Sequence, residues 1–318
     1  MDNVCHTLVG AACAQAGLAR RSRFASGALL VAANLPDVDV LVFLTDVPSV
    51  AFRRGWTHGV LAQALLPVAL TVVLVWLDRI RPRPTGSPPL RAGWILGLGY
   101  LGVFSHVGLD FLNNYGVRLL APLDWRWFYG DAVFIVDPWL WLVLGLGTWQ
   151  ARRLRAPRAA QGALVFAACY IALMLVSASA ARATVANAWQ EVRGTAGVDL
   201  SSPRALMVGP VPVNPLVRTV IVDAGDRYEL GAFSWWSGAV TFDPVPIPKN
   251  ATGADVAAAR ATAGVQHVLG WSRFPHWVVQ PDLDGTLGGT TVHLRDARFA
   301  GAAIANLGAS VVLPSGTR

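Results

Sequence analysis

Up to Ala181 the chain is a series of apolar runs, at about 4–19, 25–46, 59–78, 93–112, 132–150 and 161–181. A helix needs roughly 20 apolar residues to cross a bilayer, so the pattern predicts a bundle of about six transmembrane helices. The first run is short. The second is interrupted by Asn34-Leu35-Pro36-Asp37. Pro36 has no backbone donor, so a kink or break is expected there. Irregular backbone at membrane depth is tolerated where it lines a polar site or is buried in protein. After Arg182 the pattern changes to short β-rich runs, at Ala205–Val213, Val217–Ala224, Arg227–Trp235, Ala239–Phe242, Val265–Trp271, Trp277–Gln280, Thr291–Phe299 and Ala309–Leu313. Pro, Gly and Asp punctuate them. An alanine-rich helix is expected at Gly253–Ala263. The expected fold is mainly α, with a polytopic transmembrane helical bundle over 1–182 and a small β-rich α+β extramembrane domain over 183–318.

Composition agrees with this pattern. Of 318 residues, 54% are hydrophobic and only 14% charged, where soluble domains carry roughly 25% charge. The formal net charge of +7 comes from arginine. Basic chains can bind nucleic acid, but these arginines cluster between apolar runs, where the positive-inside rule accounts for them. The expected partner is the lipid bilayer, with no nucleic acid. Arg20, Arg21 and Arg23 follow the first run; Arg79, Arg81, Arg83 and Arg91 join the third to the fourth; Arg152, Arg153, Arg155 and Arg158 join the fifth to the sixth. Alternate connections are therefore expected to be cytoplasmic, in a bacterial inner membrane. Arg53 and Arg54 run against the trend. The start, Met1-Asp2-Asn3, lacks the basic region of a signal peptide, so the first run is expected to be retained. Cys5, Cys13 and Cys169 form neither a CxxC pair nor a disulfide framework.

The chemistry lies in the few polar residues inside the apolar runs. His106 and Asp110 are four apart, on one face of a helix. His6, the pair Asp37 and Asp39, and His58 are the other candidate ligands. On the arginine-derived topology all of them fall toward the non-cytoplasmic side, together with Asp131, Asp137 and the C-terminal domain. Ionisable residues in a membrane are costly and mark function by default. Imidazole nitrogen with carboxylate oxygen suits Zn²⁺, with Mn²⁺ or Fe²⁺ as alternatives, and the number of ligands allows one or two ions. Such a site activates water for hydrolysis of an ester, above all a phosphoester. Asp37 is the expected general base, and Arg54 or Arg53 the expected phosphate clamp. Asp137, before Pro138, has the pattern of a helix N-cap or of a carboxylate supporting a histidine. Thr57 is placed to cap the helix after His58. No phosphate-binding glycine loop, GxSxG elbow or HExxH is present.

These motifs carry a resemblance. His6-Thr7, Leu35-Pro36-Asp37-Val38-Asp39, Arg54-Gly55-Trp56-Thr57-His58-Gly59 and Ser105-His106 with Asp110 resemble, in order and spacing, the YdjM-like family of inner-membrane metal-dependent hydrolases over residues 1–140. The resemblance implies a membrane-embedded bundle with metal-dependent hydrolase activity. More remotely, the order is similar to the zinc-dependent phospholipase C and P1-nuclease group. That pattern implies His6, one of Asp37 and Asp39, His58, His106 and Asp110 as ligands. The later histidines of that group have no counterpart here after Asp110.

The function expected is therefore metal-dependent hydrolysis of a lipid or other amphiphilic phosphoester at the outer face of the membrane. A proton- or cation-coupled transporter and a metal-stabilised scaffold are the alternatives.

Overall fold

The computed structural model describes residues 1–195, 203–281, 289–300 and 308–313. The chain divides into two compact units. One comprises Met1–Thr45, Phe52–Ser179 and Gly209–Pro215, the other Asp46–Ala51, Ala180–Val208 and Leu216–Arg318.

The first unit is helical. Helices α1 (Asn3–Gln15) and α2 (Ala25–Ala32) are followed by a ten-residue 3-10 helix (Leu35–Leu44). A single turn, α3 (Ser49–Phe52), which belongs to the other unit as far as Ala51, precedes α4 (Val60–Ile80), α5 (Ala92–Phe111) and α6 (Pro138–Arg153) in the chain. Helix α7 (Pro157–Thr195) belongs to this unit as far as Ser179. Asp2 caps α1 by accepting from the amides of Val4 and Cys5. Asp137 caps α6 with Pro138 in its first turn, the placement that proline's missing N–H favours.

Each of the six apolar runs contains helix, but six full spans are not confirmed. Among the described residues three helices, α4, α5 and α7, are long and apolar enough to cross a membrane. A fourth span results if α2 and the 3-10 helix, bent by 51°, are one broken crossing. At about 1.5 Å per residue, the 13 residues of α1 and the 16 of α6 fall short of a hydrocarbon core of about 30 Å. The break at Pro36 is where the sequence predicts it.

The 3-10 helix is polar inward and apolar outward. Its three-residue turn aligns Pro36, Asp39 and Val42, all buried along with Asp37. Val38, Leu41, Phe43 and Leu44 are exposed. Helix α4 likewise turns Leu61, Leu65, Val72, Val73 and Trp76 outward, as a lipid-facing helix does.

Helices α2 and α5 touch backbone to backbone. A Cβ on Gly102 would lie 2.5 Å from Ala32 Cβ and 2.9 Å from Ala33 N. This contact, one helical turn before His106, lets Ala33 come within hydrogen-bonding reach of that ring. Below it, Cys13, Ala25, Ala28, Leu29, Ile95 and Leu98 form one buried cluster, so small residues let three helices close together.

The second unit is β-rich. Strands β1 (Leu206–Pro210), β2 (Val217–Asp223), β3 (Arg227–Ser234) and β4 (Ala239–Phe242) lie in that order, with β5 (Ile247–Pro248) pairing β3. Helices α8 (Ala254–Arg260) and α9 (Ala263–Trp271) lead to a second, antiparallel sheet of β6 (Pro275–Pro281), β7 (Thr290–Asp296) and β8 (Gly308–Leu313). Ala181, Val185 and Trp189 of α7 cover Val208, Val220 and Phe233.

Two expectations fail here. Val265–Trp271 is helix, not strand. Its buried residues Val265, Val268 and Trp271 are three apart, a helical spacing that reads as a plain apolar run over so short a window. The predicted strand Thr291–Phe299 stops at Asp296, where the chain turns into a 3-10 segment, Ala297–Phe299. Asp296 Oδ1 accepts from the backbone N and Nε of Arg298 (2.9 and 3.0 Å). Its Oδ2 accepts from Arg298 Nη2, Ser272 Oγ and Arg273 N (2.8, 2.7 and 2.8 Å).

Gly102→Ala should destabilise the helical unit by about 1–3 kcal/mol through overpacking. Gly97→Ala, where nothing lies within 4 Å, should not. Thermal unfolding in detergent distinguishes the two. In the second unit, burial alone would raise the Asp296 carboxyl, but the Arg298 charge and the donated hydrogen bonds hold it below the usual carboxylate range. A depressed folded value means that the stabilisation is complete above the unfolded pKa of about 3.9 and is lost as pH falls through the folded value. Near-UV circular dichroism of the wild type should therefore hold from pH 7 to about 4 and fall below that. Asp296→Ala, which strands the buried Arg298, should lose about 3–5 kcal/mol already at neutral pH.

Candidate metal centre

Four side chains from three places in the sequence meet inside the helical unit. Asp37 comes from the 3-10 helix, His58 from the segment before α4, and His106 and Asp110 from the last turns of α5. One ligand atom from each lies within 4.8 Å of all the others. His58, His106 and Asp110 are 0% exposed and Asp37 is 7% exposed.

Hydrogen bonding decides the state of both imidazoles. His106 Nδ1 lies 2.8 Å from the carbonyl oxygen of Ala33. A carbonyl only accepts, so Nδ1 carries the proton and Nε2 presents a lone pair. The Thr57 hydroxyl donates to Asp39 Oδ2 (3.1 Å) and therefore accepts from His58 Nδ1 (3.0 Å). That leaves His58 Nε2 as a second lone pair. The two Nε2 atoms are 3.1 Å apart, with no proton between them in these tautomers. Asp110 Oδ2 lies 3.2 Å from one and 3.6 Å from the other. It is buried without a hydrogen-bond donor. Asp37 Oδ1 completes the group at 3.9 and 3.8 Å.

Four donors, two of them anionic, thus point at one another, an arrangement that repels itself unless a cation lies among them. A tetrahedral shell with metal–nitrogen distances of about 2.0–2.1 Å has edges of about 3.3 Å, close to the separations here. The residues fit a divalent ion.

The surroundings hold these donors in place. Arg54, buried and with φ +53°, donates from Nη2 to Asp110 Oδ1 (3.1 Å). Its Nη1 donates to Asn113 Oδ1 and the Gly116 carbonyl (3.1 and 3.2 Å), and its guanidinium lies over Tyr115. The Met1 amino group also contacts Asp110 Oδ1. Arg54 N donates to Asp39 Oδ2 (2.8 Å). Arg53 spans both carboxylates of the 3-10 helix, 3.3 Å from Asp39 and 3.6 Å from Asp37.

The other predicted residues take different places. His6 stacks on His106 at 3.7 Å between ring centroids, with its Nε2 3.4 Å from Asp110 Oδ1. Asp39 faces the Nδ1 side of His58, at 3.4 Å, and supports that ring from behind. Asp137 accepts from the amides of Trp139 and Leu140 and from the Tyr170 hydroxyl (2.9 Å), and it is not part of the four-residue group. Asp131 is buried at φ +50°.

A sequence profile of the YdjM inner membrane protein family matches residues 1–182. The chain belongs to the YdjM inner membrane protein family. No curated protein and no solved structure matches it. In this YdjM chain, three contributors escape a reading of motifs. Thr57 looks like a helix cap, but α4 starts after Gly59 with no side-chain cap, and the hydroxyl instead links Asp39 to His58. Ala33 contributes a backbone carbonyl, which no residue type signals. Asn113 does leave a trace, three residues beyond Asp110 on the same helical face.

Thr57→Val should lower divalent-metal affinity by about 10–100-fold, the usual cost of losing a partner that orients a histidine. Metal titration of the purified protein, with unfolding temperature as a control, checks this.

Proposed function

We propose that this YdjM-family chain is a metal-dependent hydrolase that cleaves a phosphoester of a lipid or other amphiphile at the non-cytoplasmic face of the membrane. The observation that carries this proposal is the convergence of two imidazole lone pairs and two carboxylates in a buried pocket. A bound divalent ion, with zinc preferred and Mn²⁺ or Fe²⁺ as alternatives, would supply Lewis acidity and a coordinated water of lowered pKa.

The chain's own residues do the rest. Thr57 and Ala33 hold the Nδ1 sides of His58 and His106 and so turn both Nε2 atoms inward. Arg54 fixes Asp110 and is fully engaged there, so Arg53, with its side chain 27% exposed, is the better phosphate clamp. Asp37, the one carboxylate of the group that is not fully buried, is placed to take a proton from water. His6 closes the opposite side of His106.

The two ends of α5 support the proposed orientation. At its start, Arg23 reaches Asp78 and the carbonyls of Arg81 and Pro82, and Arg91 N donates to Ser22 Oγ. The basic connections 20–23 and 79–91 thus share one end of the bundle, the cytoplasmic end by the positive-inside rule. His106 and Asp110 lie at the other end of a helix about 30 Å long.

Purified wild type should contain tightly bound divalent metal and hydrolyse bis(p-nitrophenyl) phosphate or a short-chain phospholipid. His106→Ala and Asp110→Ala should each lose the metal and at least about 1,000-fold in turnover. Full turnover in both variants overturns the mechanism. Metal-dependent ion flux in liposomes without turnover would instead favour transport.

A further inference from the structure

Of the four residues of the buried group only Asp37 has measurable exposure, and Asp37 also lines a groove of about 500 Å³ between α1, α2 and the 3-10 helix. The groove has two kinds of wall. Leu30, Val31, Leu35 and Val38 are apolar, whereas Asn3, Thr7 and Asn34 are polar. Asn34 Nδ2 donates to Thr7 Oγ1 (3.0 Å) and to the Leu30 carbonyl (2.9 Å), which ties α1 to α2 across the groove.

The groove's position says what it faces. It borders the bent pair of helices that together can form a membrane crossing. The outward side of that pair continues as exposed Val31, Val38, Leu41 and Leu44. A water-soluble substrate has no use for a route walled by valine and leucine on a membrane-facing element. An acyl chain does, and the same route ends on the one reachable carboxylate of the metal group. The Arg53 guanidinium lies 3.6 Å from that carboxylate, which supplies positive charge where an anionic headgroup would arrive.

We infer that this groove is the substrate's chain-binding site and that a membrane amphiphile carrying a phosphoryl headgroup enters it sideways from the bilayer. Its alkyl chain would lie on Leu30, Val31, Leu35 and Val38, and its headgroup would meet Asn3, Asn34 and Asp37. This rests on the proposed function for the cluster, but it is tested by binding, not turnover.

The probe is a lysophosphatidic acid with a diazirine in its acyl chain, photolysed with the full-length protein in detergent and mapped by peptide mass spectrometry. Adducts should concentrate on residues 3–7 and 30–38, at least about fivefold above the lipid-facing residues of α4. Unlabelled lysophosphatidic acid should compete, whereas inorganic phosphate or an alkyl maltoside at equal concentration should not. Val31→Trp, which fills the groove, should lower these adducts at least about fivefold with metal content unchanged. Val38→Asn is a milder variant with the same expected direction. Labelling spread evenly over α4 and the groove, or undiminished in both folded variants, overturns the inference, as does competition by inorganic phosphate alone. Bound metal with no groove labelling refutes the groove and spares the hydrolase. Groove labelling without bound metal or turnover does the reverse.

Discussion

Two imidazole nitrogens 3.1 Å apart, each with its lone pair turned toward the other, set the terms for the rest of the helical unit. Such a pair is stable only with a cation between the rings or a proton shared there. With both Nδ1 protons committed, one to a backbone carbonyl and one to a hydroxyl already donating to a carboxylate, neither neutral ring carries a proton on Nε2, and the gap calls for an added cation. Everything nearby serves this constraint. The glycine at 102 lets Ala33 come within reach of His106, Asp39 holds Thr57, and Arg54 turns one oxygen of Asp110 away so that the other faces the pair.

The placement also explains the irregular backbone. A regular helix through residues 25–44 would send Asp37 and Asp39 to faces about 160° apart, and one carboxylate would be left in lipid. Breaking at Pro36 and tightening to three residues per turn brings both inside and leaves the valine, leucine and phenylalanine side chains outside. The cost of a long 3-10 segment, with its poorer hydrogen bonds, is offset because no carboxylate faces hydrocarbon. The same break opens the groove on Asp37. One local distortion therefore supplies a carboxylate of the four-residue group, an apolar outward surface and the groove beside them.

The second unit is organised differently. Its cores are aromatic and aliphatic strands covered by helices, and its main polar feature, the Asp296–Arg298 pair, is fully satisfied by neighbouring backbone and Ser272. A buried ion pair with all its partners in place specifies a turn without leaving chemistry to do. The contrast with Asp110, whose Oδ2 lacks a donor, separates a fully satisfied carboxylate from one with an oxygen left to hold a cation.

Much of this was determined by the sequence alone. Apolar runs of known length predict helices whatever they pack against, and His106 with Asp110 share a face because 3.6 residues make a turn. Proline at 36 marks the break for the same local reason. Which helices are long enough to span, and that Val265–Trp271 coils instead of extending, depended on where each segment ends and what covers it. The roles within the site were also left to the tertiary structure. Asp37 and Asp39 are alike in sequence, yet one joins the group and the other supports a histidine, because the 3-10 turn points them in different directions. Arg53 and Arg54 differ in the same way, one half-open at the mouth and one buried against Asp110. A lone pair's direction is set by the atom bonded to the far side of the ring. Here those atoms are a carbonyl from 73 residues away in the chain and the hydroxyl of the adjacent threonine, and only the fold brings the first of them into place.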